Sequence, residues 1–383
     1  VNGELADYTE FDRKNYFYPD IPKGYQISQY KYPLVRGGEL MGVALTRIHL
    51  EEDTAKSIHP VENSKLGIEN SLLDFNRAGV PLMELVTEPV IYSAEKAAEV
   101  ARELQLLLRY LNISGANMEK GELRLEANVS INLGTKVEVK NLNSFRSIER
   151  AIKYEYERQA AILEKGEKVV QETRGWDENR GVSFSQRMKE SSHDYRYFPD
   201  PDLPKLFIKE ISDFAREELR RTMPELPWER RRRLLESGIS VEHAEIYVTQ
   251  VEKGRYFEQL AELLEDPALV ILASNYINSE LKDKTPDAKE FAQAIRMVAL
   301  GELSSRGAKE VIKILVGRGG ETRRIAQENN LMQISDEKIL RQWVEEVLKE
   351  EDKSAPKQFL VGQAMKKSGG RANPILLQKL FDN

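Results

Sequence analysis

The sequence contains no cysteine among its 383 residues. This absence excludes disulfide bonds, a thiolate nucleophile and a cysteine-ligated zinc ion within these residues, so we expect no zinc site. Apolar runs of membrane-spanning length and a signal-peptide pattern are also missing. We therefore expect a cytoplasmic protein with no membrane partner.

Histidines and the common nucleotide-binding motifs are scarce as well. None of the four histidines is paired at metal-ligand spacing, and no Ser/His/Asp order indicates a hydrolase. They are His49, His59, His193 and His243, and only His49 lies near a candidate site, three residues before Glu52. Neither GxxxxGKS/T nor GxGxxG occurs, so any ATP site would be neither a P-loop nor a Rossmann site.

The charge distribution limits contact with nucleic acid to part of the surface. The net charge of -6 argues against binding over the whole molecule, whereas residues 353–383 carry an excess of positive charge. A local basic patch of this kind is compatible with binding of a polyanion and equally with a solvated charged face.

The first part of the chain predicts strands mixed with a few helices. Apolar and charged residues alternate over residues 121–142 with a turn at Gly134, which is typical of a hairpin, and Val43–Leu50 predicts another strand. Ser93 and Ser144 are predicted N-caps of two helices. Together these features predict an α+β domain over residues 1–212.

Helical patterns replace strands in the rest of the chain. We expect an all-helical domain over residues 213–306 and a helical tail over residues 307–383, with a weak point at residues 317–320. Helices are predicted over residues 216–235 and 242–264. Further helices are expected after caps at Thr285, Ser335 and Asn373.

Two groups of carboxylates are candidates for a metal site. Glu51, Glu52 and Asp53 follow the predicted strand, and Glu84 lies in an otherwise apolar phrase. A carboxylate among apolar neighbours is costly unless it is paired or binds a cation, and oxygen ligands suit Mg²⁺. From the residues alone, a structural ion pair between Glu84 and an arginine such as Arg47 or Arg77 is the favoured alternative.

Two further polar regions have both structural and functional interpretations. The hairpin would present Arg124, Glu126 and Asn128 beside Lys136, Glu138 and Lys140, either as a solvated sheet face or as a cleft floor that binds phosphates. Residues 11–30 combine aromatic side chains with Arg13, Lys14 and Lys23. That combination suits a nucleotide, although aromatic loops also seal ordinary cores.

Several phrases of the sequence resemble the B subunits of tRNA-dependent amidotransferases. The most specific phrase is RKNYFYPDxPKxYQISQ, which begins at Arg13. Others occupy residues 46–53, 74–85, 139–145, 194–199 and 359–363, in the family's order. The resemblance therefore covers nearly the whole chain.

The resemblance implies a fold, an activity and partners. The catalytic domain would be an antiparallel-sheet cradle like that of glutamine synthetase and the guanidino kinases. It would use ATP and Mg²⁺ to phosphorylate the γ-carboxylate of Glu-tRNA(Gln), and the sequence leaves open whether Asp-tRNA(Asn) is a second substrate. Ammonia would come from an amidase A subunit, held together with a small C subunit. The cognate aminoacyl-tRNA synthetase is a further expected partner.

The resemblance also implies roles for individual residues. Metal ligands would be Glu52 and Glu84, and nucleotide-side residues would be Lys14 and Tyr16, with Arg124 and Lys140 on the phosphate-binding hairpin face. Lys23 and Glu126 would line the ammonia route. The tRNA-binding residues of the tail would be Lys366, Lys367 and Arg371.

Two departures from the family pattern leave an alternative open. The sequence lacks the family's Gly-x-Glu-x-His phrase, whose Glu and His complete the metal site, and its Asn132–Gly134 turn is short. The residues present would then hold only part of that site, and Glu51 competes with Glu52 as a ligand. A non-catalytic RNA-binding subunit that presents tRNA to an enzymatic partner is the alternative interpretation, and a free-standing kinase or synthetase of small carboxylates comes third.

Overall fold

The computed structural model describes residues 1–58, 72–188, 195–282, 284–351 and 355–382. Within these ranges, every named strand ends before residue 208. Two units are distinguished by their internal contacts, Val1–Leu226 and Pro227–Asn383. The strands are β1 (Glu4–Leu5), β2 (Tyr8–Thr9), β3 (Asp12–Asn15), β4 (Tyr25–Ser28), β5 (Val35–Arg36), β6 (Glu39–Leu40), β7 (Val43–Glu52), β8 (Lys56–Ile58), β9 (Leu72–Asp74), β10 (Pro81–Thr87), β11 (Leu125–Val129), β12 (Val137–Leu142), β13 (Glu172–Asp177), β14 (Val182–Met188), β15 (Phe198–Pro199) and β16 (Leu206–Phe207).

Among the described residues, three α-helices belong to the first unit and the others to the second. The first three are α1 (Ala94–Tyr110), α2 (Phe145–Glu164) and α3 (Arg216–Thr222), with 3-10 turns at Ile208–Glu210 and Ser212–Phe214. The second unit contains α4 (Pro227–Glu236), α5 (Val241–Thr249), α6 (Val251–Leu264), α7 (Pro267–Glu280), α8 (Ala288–Ala299), α9 (Ser305–Arg318), α10 (Thr322–Glu328), α11 (Glu337–Glu350), α12 (Lys357–Lys367) and α13 (Pro374–Leu380). The predicted order of a sheet-rich part and an all-helical part is confirmed.

The longest strand, β7, organises the first sheet. The strand order is β1-β5-β7-β10, and β6 pairs with the start of β7. β7 and β10 run antiparallel with Glu84 opposite His49 and Leu82 opposite Glu51. Because successive side chains of a strand point to opposite faces, His49 and Glu51 share one face with Glu84.

A second sheet contains the predicted hairpin. Its strand order is β11-β12-β13-β14, with Val129 opposite Val137 and Leu125 opposite Leu142. The apolar face packs against α1 and α2 through a cluster that includes Val139, Ile148 and Trp176. The predicted hairpin is therefore confirmed, and its polar residues lie on the other face.

The two N-terminal helices begin where the sequence predicts. The Ser93 hydroxyl accepts a hydrogen bond from the Lys96 amide, and the Ser144 hydroxyl accepts one from the Ser147 amide. Each cap satisfies an amide that has no partner within its helix. These caps fix the start of α1 and α2 over the second sheet.

The aromatic segment at residues 11–30 forms a short hairpin. β3 pairs with β4, and β15 adds to the other side of β3. Gly24 lies in the connection with φ +78°, a conformation that favours glycine. The side chains of Gln26 and Ser28 on β4 reach Glu51 on β7, so this hairpin closes one side of the carboxylate face.

Several helix boundaries differ from the predictions. The helix predicted over residues 216–235 is interrupted between α3 and α4, because Pro224 and Pro227 cannot donate backbone hydrogen bonds inside a helix. α8 is capped by Asp287 and α11 by Asp336, not by Thr285 and Ser335, since carboxylates accept well from free helix amides. The cap at Asn373 is confirmed.

The end of the second unit has a small core of its own. Leu340, Val344, Leu360 and Leu377 pack together from α11, α12 and α13. The predicted division of the helical part at residues 306/307 stays a prediction. Among the described residues, no helix is long and apolar enough to cross a bilayer.

A buried carboxylate on α2 provides a test of how this helix is held to the second sheet. Glu155 is fully buried and accepts hydrogen bonds from Arg158 Nη2 at 2.7 Å and from Arg158 Nε at 2.9 Å. Gln159, one turn further along the helix, donates to the Val129 carbonyl. Replacing Glu155 by alanine leaves Arg158 without this partner. The free energy of unfolding is therefore expected to fall by about 3 kcal/mol.

Urea denaturation followed by circular dichroism measures this loss. Glu157→Ala is the matched control, because Glu157 is exposed on the same helix. Equal stability of the two variants would contradict a stabilising role of the buried Glu155 pair.

Candidate functional site

Three potential metal ligands meet on β7 and β10. His49, Glu51 and Glu84 each place a ligand atom within 4.8 Å of the others. His49 Nε2 lies 3.1 Å from Glu51 Oε1 and 3.8 Å from Glu84 Oε2. The antiparallel register brings Glu84 opposite His49, so residues distant in sequence form one cluster. We call it the carboxylate cluster.

Glu51 is the buried member of the carboxylate cluster. Its side chain is 7% exposed and accepts hydrogen bonds from Ser28 Oγ at 2.8 Å and Gln26 Nε2 at 3.1 Å. Burial alone would raise the pKa of Glu51. The hydrogen bonds from His49 and Ser28, with the positive charge of Lys14, nevertheless hold that pKa below its usual value. Glu51 is therefore ionised at neutral pH.

Glu84 has the opposite electrostatic environment. Its side chain is half exposed, yet desolvation of the carboxyl group raises its pKa, and the charge of Glu51 raises it further. Lys14 and Arg47 act in the opposite direction. Two carboxylates that oppose each other's ionisation form a site that a cation or a proton stabilises.

The hydrogen bonds of His49 define the orientation of its ring. Arg47 Nε donates to His49 Nδ1 at 3.4 Å. Because an arginine can only donate, Nδ1 accepts and Nε2 carries the proton towards Glu51. In this arrangement His49 orients the Glu51 carboxylate, and the oxygen atoms of Glu51 and Glu84 are the available metal ligands.

Cations and tyrosines surround the carboxylate cluster. The Lys14 ammonium lies 5.1 Å from the centre of the Tyr195 ring, and Tyr30 stacks on Tyr197 at 4.1 Å. Burial raises the pKa of Tyr16 and of Tyr197, and the charge of Glu51 raises both further. Both phenols therefore remain protonated at neutral pH, beside the predicted nucleotide-side residue Lys14.

Glu52 does not belong to the carboxylate cluster, contrary to the expectation that it accompanies Glu84. Its Oε1 accepts a hydrogen bond from the Ile27 amide at 2.7 Å and forms an ion pair with Lys23. Successive residues of a strand alternate in direction, so Glu51 and Glu52 cannot both face Glu84. The sequence does not decide whether Glu51 or Glu52 is the metal ligand, and the structure places Glu51 beside Glu84.

The polar face of the hairpin carries paired charges. Lys140 Nζ lies 2.8 Å from Glu126 Oε1 on the neighbouring strand β11 and 3.8 Å from Glu138 Oε2 on its own strand, β12. Arg124 instead points to Asp53, at 3.3 Å. The ion pair between Arg124 and Asp53 connects this face to the end of β7.

The predicted tRNA-binding residues lie near the end of the second unit. Lys366 is exposed near the end of α12, whereas Lys367 pairs with Glu350 at 2.8 Å and with Glu346 at 3.5 Å. Arg371 Nε donates to the Ser368 carbonyl. The structure therefore leaves Lys366 more available to an anion than Lys367.

Parts of this site are not apparent from the sequence. The sequence indicates Arg47 only as an ion-pair partner of Glu84, and Asp53 only as one of three consecutive carboxylates after a predicted strand. The odd-numbered residues of β7, at 47, 49 and 51, share one face, and this period-2 pattern is the signal that groups them. His59, His193 and residue 194 of the family phrase lie outside the described residues, and His243 contacts Ser274 in the second unit.

The similarity of this chain to known proteins spans both units. Residues 1–212 match the GatB/GatE catalytic domain, and residues 255–383 match the GatB domain. Similar curated proteins include the B subunits of the aspartyl/glutamyl-tRNA(Asn/Gln) amidotransferases of Crocosphaera subtropica, 40% identical over 422 residues, and of Moorella thermoacetica, 42% identical over 416. The matches cover 100% of this chain and 84% and 86% of those two proteins. The resemblance noted from the motifs is confirmed: the chain belongs to the family of amidotransferase B subunits, and is thus a subunit of a carbon–nitrogen ligase.

Proposed function

We propose that this subunit activates the side-chain carboxylate of misacylated Glu-tRNA(Gln), and of Asp-tRNA(Asn), by phosphorylation with ATP. Ammonia then attacks the acyl phosphate, so that the amide forms and inorganic phosphate leaves. The observation that carries this proposal is the carboxylate cluster of His49, Glu51 and Glu84 beside Lys14 and Arg47. Clustered carboxylates next to cations suit phosphoryl transfer, because the phosphates and the metal ion require opposite charges.

The chemistry of the donor set fits Mg²⁺. Glu51 and Glu84 offer oxygen atoms, and Mg²⁺ typically takes one or two protein carboxylates together with substrate phosphates. When bound, the ion would neutralise phosphate charge and orient the transferred group. His49 would hold Glu51 in position through the hydrogen bond from Nε2.

The surrounding side chains would complete the phosphoryl-transfer site within the sheet cradle. Lys14 and Arg47 would balance charge on the phosphate oxygens, since both already act electrostatically on Glu84. Tyr16 and Tyr197 would remain neutral and could donate hydrogen bonds. Lys140 would attract phosphate from the hairpin face, where it is one-third exposed.

Two opposite-charge pairs would serve the amidation step. Lys23 is held by Glu52, and Glu126 by Lys140. Lys23 and Glu126 would line the route of ammonia from the amidase subunit. Glu126 is partly exposed and can take up the proton that the attacking ammonia must lose. The amidase, the small C subunit and the tRNA-charging synthetase are the proposed protein partners.

The test of the proposed function is ATP turnover by the assembled complex under three conditions: with charged tRNA, with uncharged tRNA and without RNA. We expect turnover with Glu-tRNA(Gln) and none above background with uncharged tRNA(Gln) or without RNA, because the phosphoryl acceptor is the glutamyl carboxylate. Equal turnover with charged and uncharged tRNA would contradict it. Amidation without any ATP consumption would favour a subunit that only presents tRNA.

The basic end of α12 gives a separate prediction about tRNA affinity. Lys366→Ala is expected to weaken binding of tRNA(Gln) and to reduce the slope of log affinity against log salt by about 1, because one phosphate contact is lost. Lys367→Ala is the matched control. Lys367 must break its ion pairs with Glu350 and Glu346 before it can contact a phosphate, so Lys367→Ala should change the slope less than Lys366→Ala does.

Filter binding at several salt concentrations measures both slopes. Identical slopes for the wild type and Lys366→Ala would show that Lys366 does not contact a phosphate of the tRNA.

A further inference from the structure

A carboxylate beyond the end of β7 is shared by two arginines. Asp53 Oδ2 lies 3.3 Å from Arg124 Nη2 and 3.6 Å from Arg77 Nε. Its other oxygen, Oδ1, accepts a hydrogen bond from the Thr54 amide at 3.0 Å. Asp53 is therefore fixed, and its side chain draws two cationic groups from different segments to one point. We call Arg77 and Arg124 the arginine pair, and Asp53 its anchor.

The arginine pair carries more positive charge than its anchor neutralises. Two guanidinium groups face one carboxylate, which leaves an excess of one positive charge. The Asp53 side chain is only 12% exposed, whereas those of Arg77 and Arg124 are 37% and 53% exposed. The anchor is covered and the guanidinium groups remain accessible, as a site for an external anion requires.

Arg77 and Arg124 differ in how firmly they are held. Arg77 Nη1 also donates to the Gly121 carbonyl at 2.9 Å. Within the part of the chain that the structure describes, the ion pair with Asp53 is the contact found for Arg124. A guanidinium has five N–H donors, so Arg124 retains donors for a ligand.

The arginine pair lies next to the carboxylate cluster. Asp53 is two residues beyond Glu51, a rise of about 7 Å along an extended strand. Its backbone bonds to Val80 and Gly79 tie the loop that carries Arg77 to the same strand end. Arg124 precedes Glu126 by two residues on the hairpin. The pair thus connects the cluster with the hairpin face.

A purely structural bridge is the competing explanation. Half-exposed ion pairs contribute little to stability, with a median of about 0–1 kcal/mol, so a bridge alone gains little from a second arginine. Paired guanidinium groups, in contrast, match phosphate geometry well. We propose that Arg77 and Arg124, positioned by Asp53, bind a phosphate group of the substrate; the inference rests on the proposed function for the identity of that substrate.

The phosphate can come from the polyphosphate of ATP or from the phosphodiester backbone of tRNA, and binding measurements distinguish the two. The assembled complex containing Arg124→Ala would be titrated with ATP and Mg²⁺, and separately with uncharged tRNA(Gln). The dissociation constant of one of the two ligands is expected to rise by about 10- to 100-fold, because a hydrogen bond to a charged group is lost. Arg77→Ala should affect the same ligand.

Arg180→Ala is the matched control, since Arg180 also forms one loose ion pair, with Asp177 at 3.7 Å, in the same unit. Unchanged affinity for both ligands in Arg124→Ala and Arg77→Ala would overturn the proposal. Should the alanine variants unfold, Arg124→Gln keeps a donor for Asp53 while removing the charge. The affinities of that variant for ATP and for tRNA(Gln) then test the proposal in the same way. A wild type that binds ATP but shows no tRNA-dependent turnover would instead contradict the proposed function.

Discussion

Replacement of Glu84 by glutamine is expected to reduce tRNA-dependent ATP turnover by about 100-fold or more. Glutamine keeps the shape of the side chain but removes the charge that, together with Glu51, would hold a cation. Loss of one electrostatic contact to a transition state typically costs about 10²–10³ in rate. The measurement is phosphate release by the assembled complex with Glu-tRNA(Gln).

The stability of Glu84→Gln separates a catalytic from a structural role. Because the folded protein raises the pKa of Glu84, the ionised carboxylate is unfavourable in the fold, and the neutral glutamine should not lower the melting temperature. Glu99→Gln is the matched control, as Glu99 is an exposed carboxylate on α1 outside the cluster. Loss of turnover together with a lower melting temperature would point to a structural ion pair instead.

A comparison of Glu51→Gln with Glu52→Gln is expected to show a second large difference. Glu51→Gln should also reduce ATP turnover by about 100-fold, since Glu51 is the ionised member of the carboxylate cluster. Glu52→Gln should leave ATP turnover within about tenfold of the wild type, because Glu52 faces Lys23. Its effect should appear in the yield of amide per ATP consumed.

Both variants require the same two assays, phosphate release and formation of Gln-tRNA(Gln). Glu51 is buried, so thermal unfolding of Glu51→Gln must accompany its kinetics. The reverse order of effects on ATP turnover, with Glu52→Gln the more severe, would refute the assignment of Glu51 to the carboxylate cluster.

The sequence predicted those parts of the fold that depend on local patterns. The hairpin of β11 and β12 follows from strict alternation of apolar and polar residues, and the caps at Ser93 and Ser144 follow from the preference of free amides for hydroxyl acceptors. The cap at Asn373 has the same origin. Each of these features requires only neighbouring residues.

Features that depend on competing neighbours or on distant segments were not predictable in this way. Asp287 and Asp336 displaced the predicted caps, because several residues able to cap lie close together at each helix start. The choice of Glu51 over Glu52 is decided by the register between β7 and β10, and by Gln26 and Ser28 from β4.

The arginine pair and its anchor illustrate the same limit. In the sequence Asp53 is one of three consecutive carboxylates that are candidates for a metal site, and Arg77 and Arg124 lie on separate segments of the chain. Their meeting depends on how the end of β7, the loop before β10 and the start of the hairpin pack together. No periodic pattern or motif in the sequence indicates that contact.

Transfer of a labelled oxygen tests the proposed acyl phosphate most directly. Glu-tRNA(Gln) labelled with ¹⁸O in the γ-carboxylate would be amidated by the assembled complex with ATP and glutamine. If the carboxylate attacks the γ-phosphorus, one labelled oxygen becomes the bridge of the acyl phosphate, and ammonia expels it with the phosphate. Released phosphate containing one ¹⁸O atom per amide formed is the predicted result. Phosphate without label, with amide still formed, would contradict activation by phosphorylation.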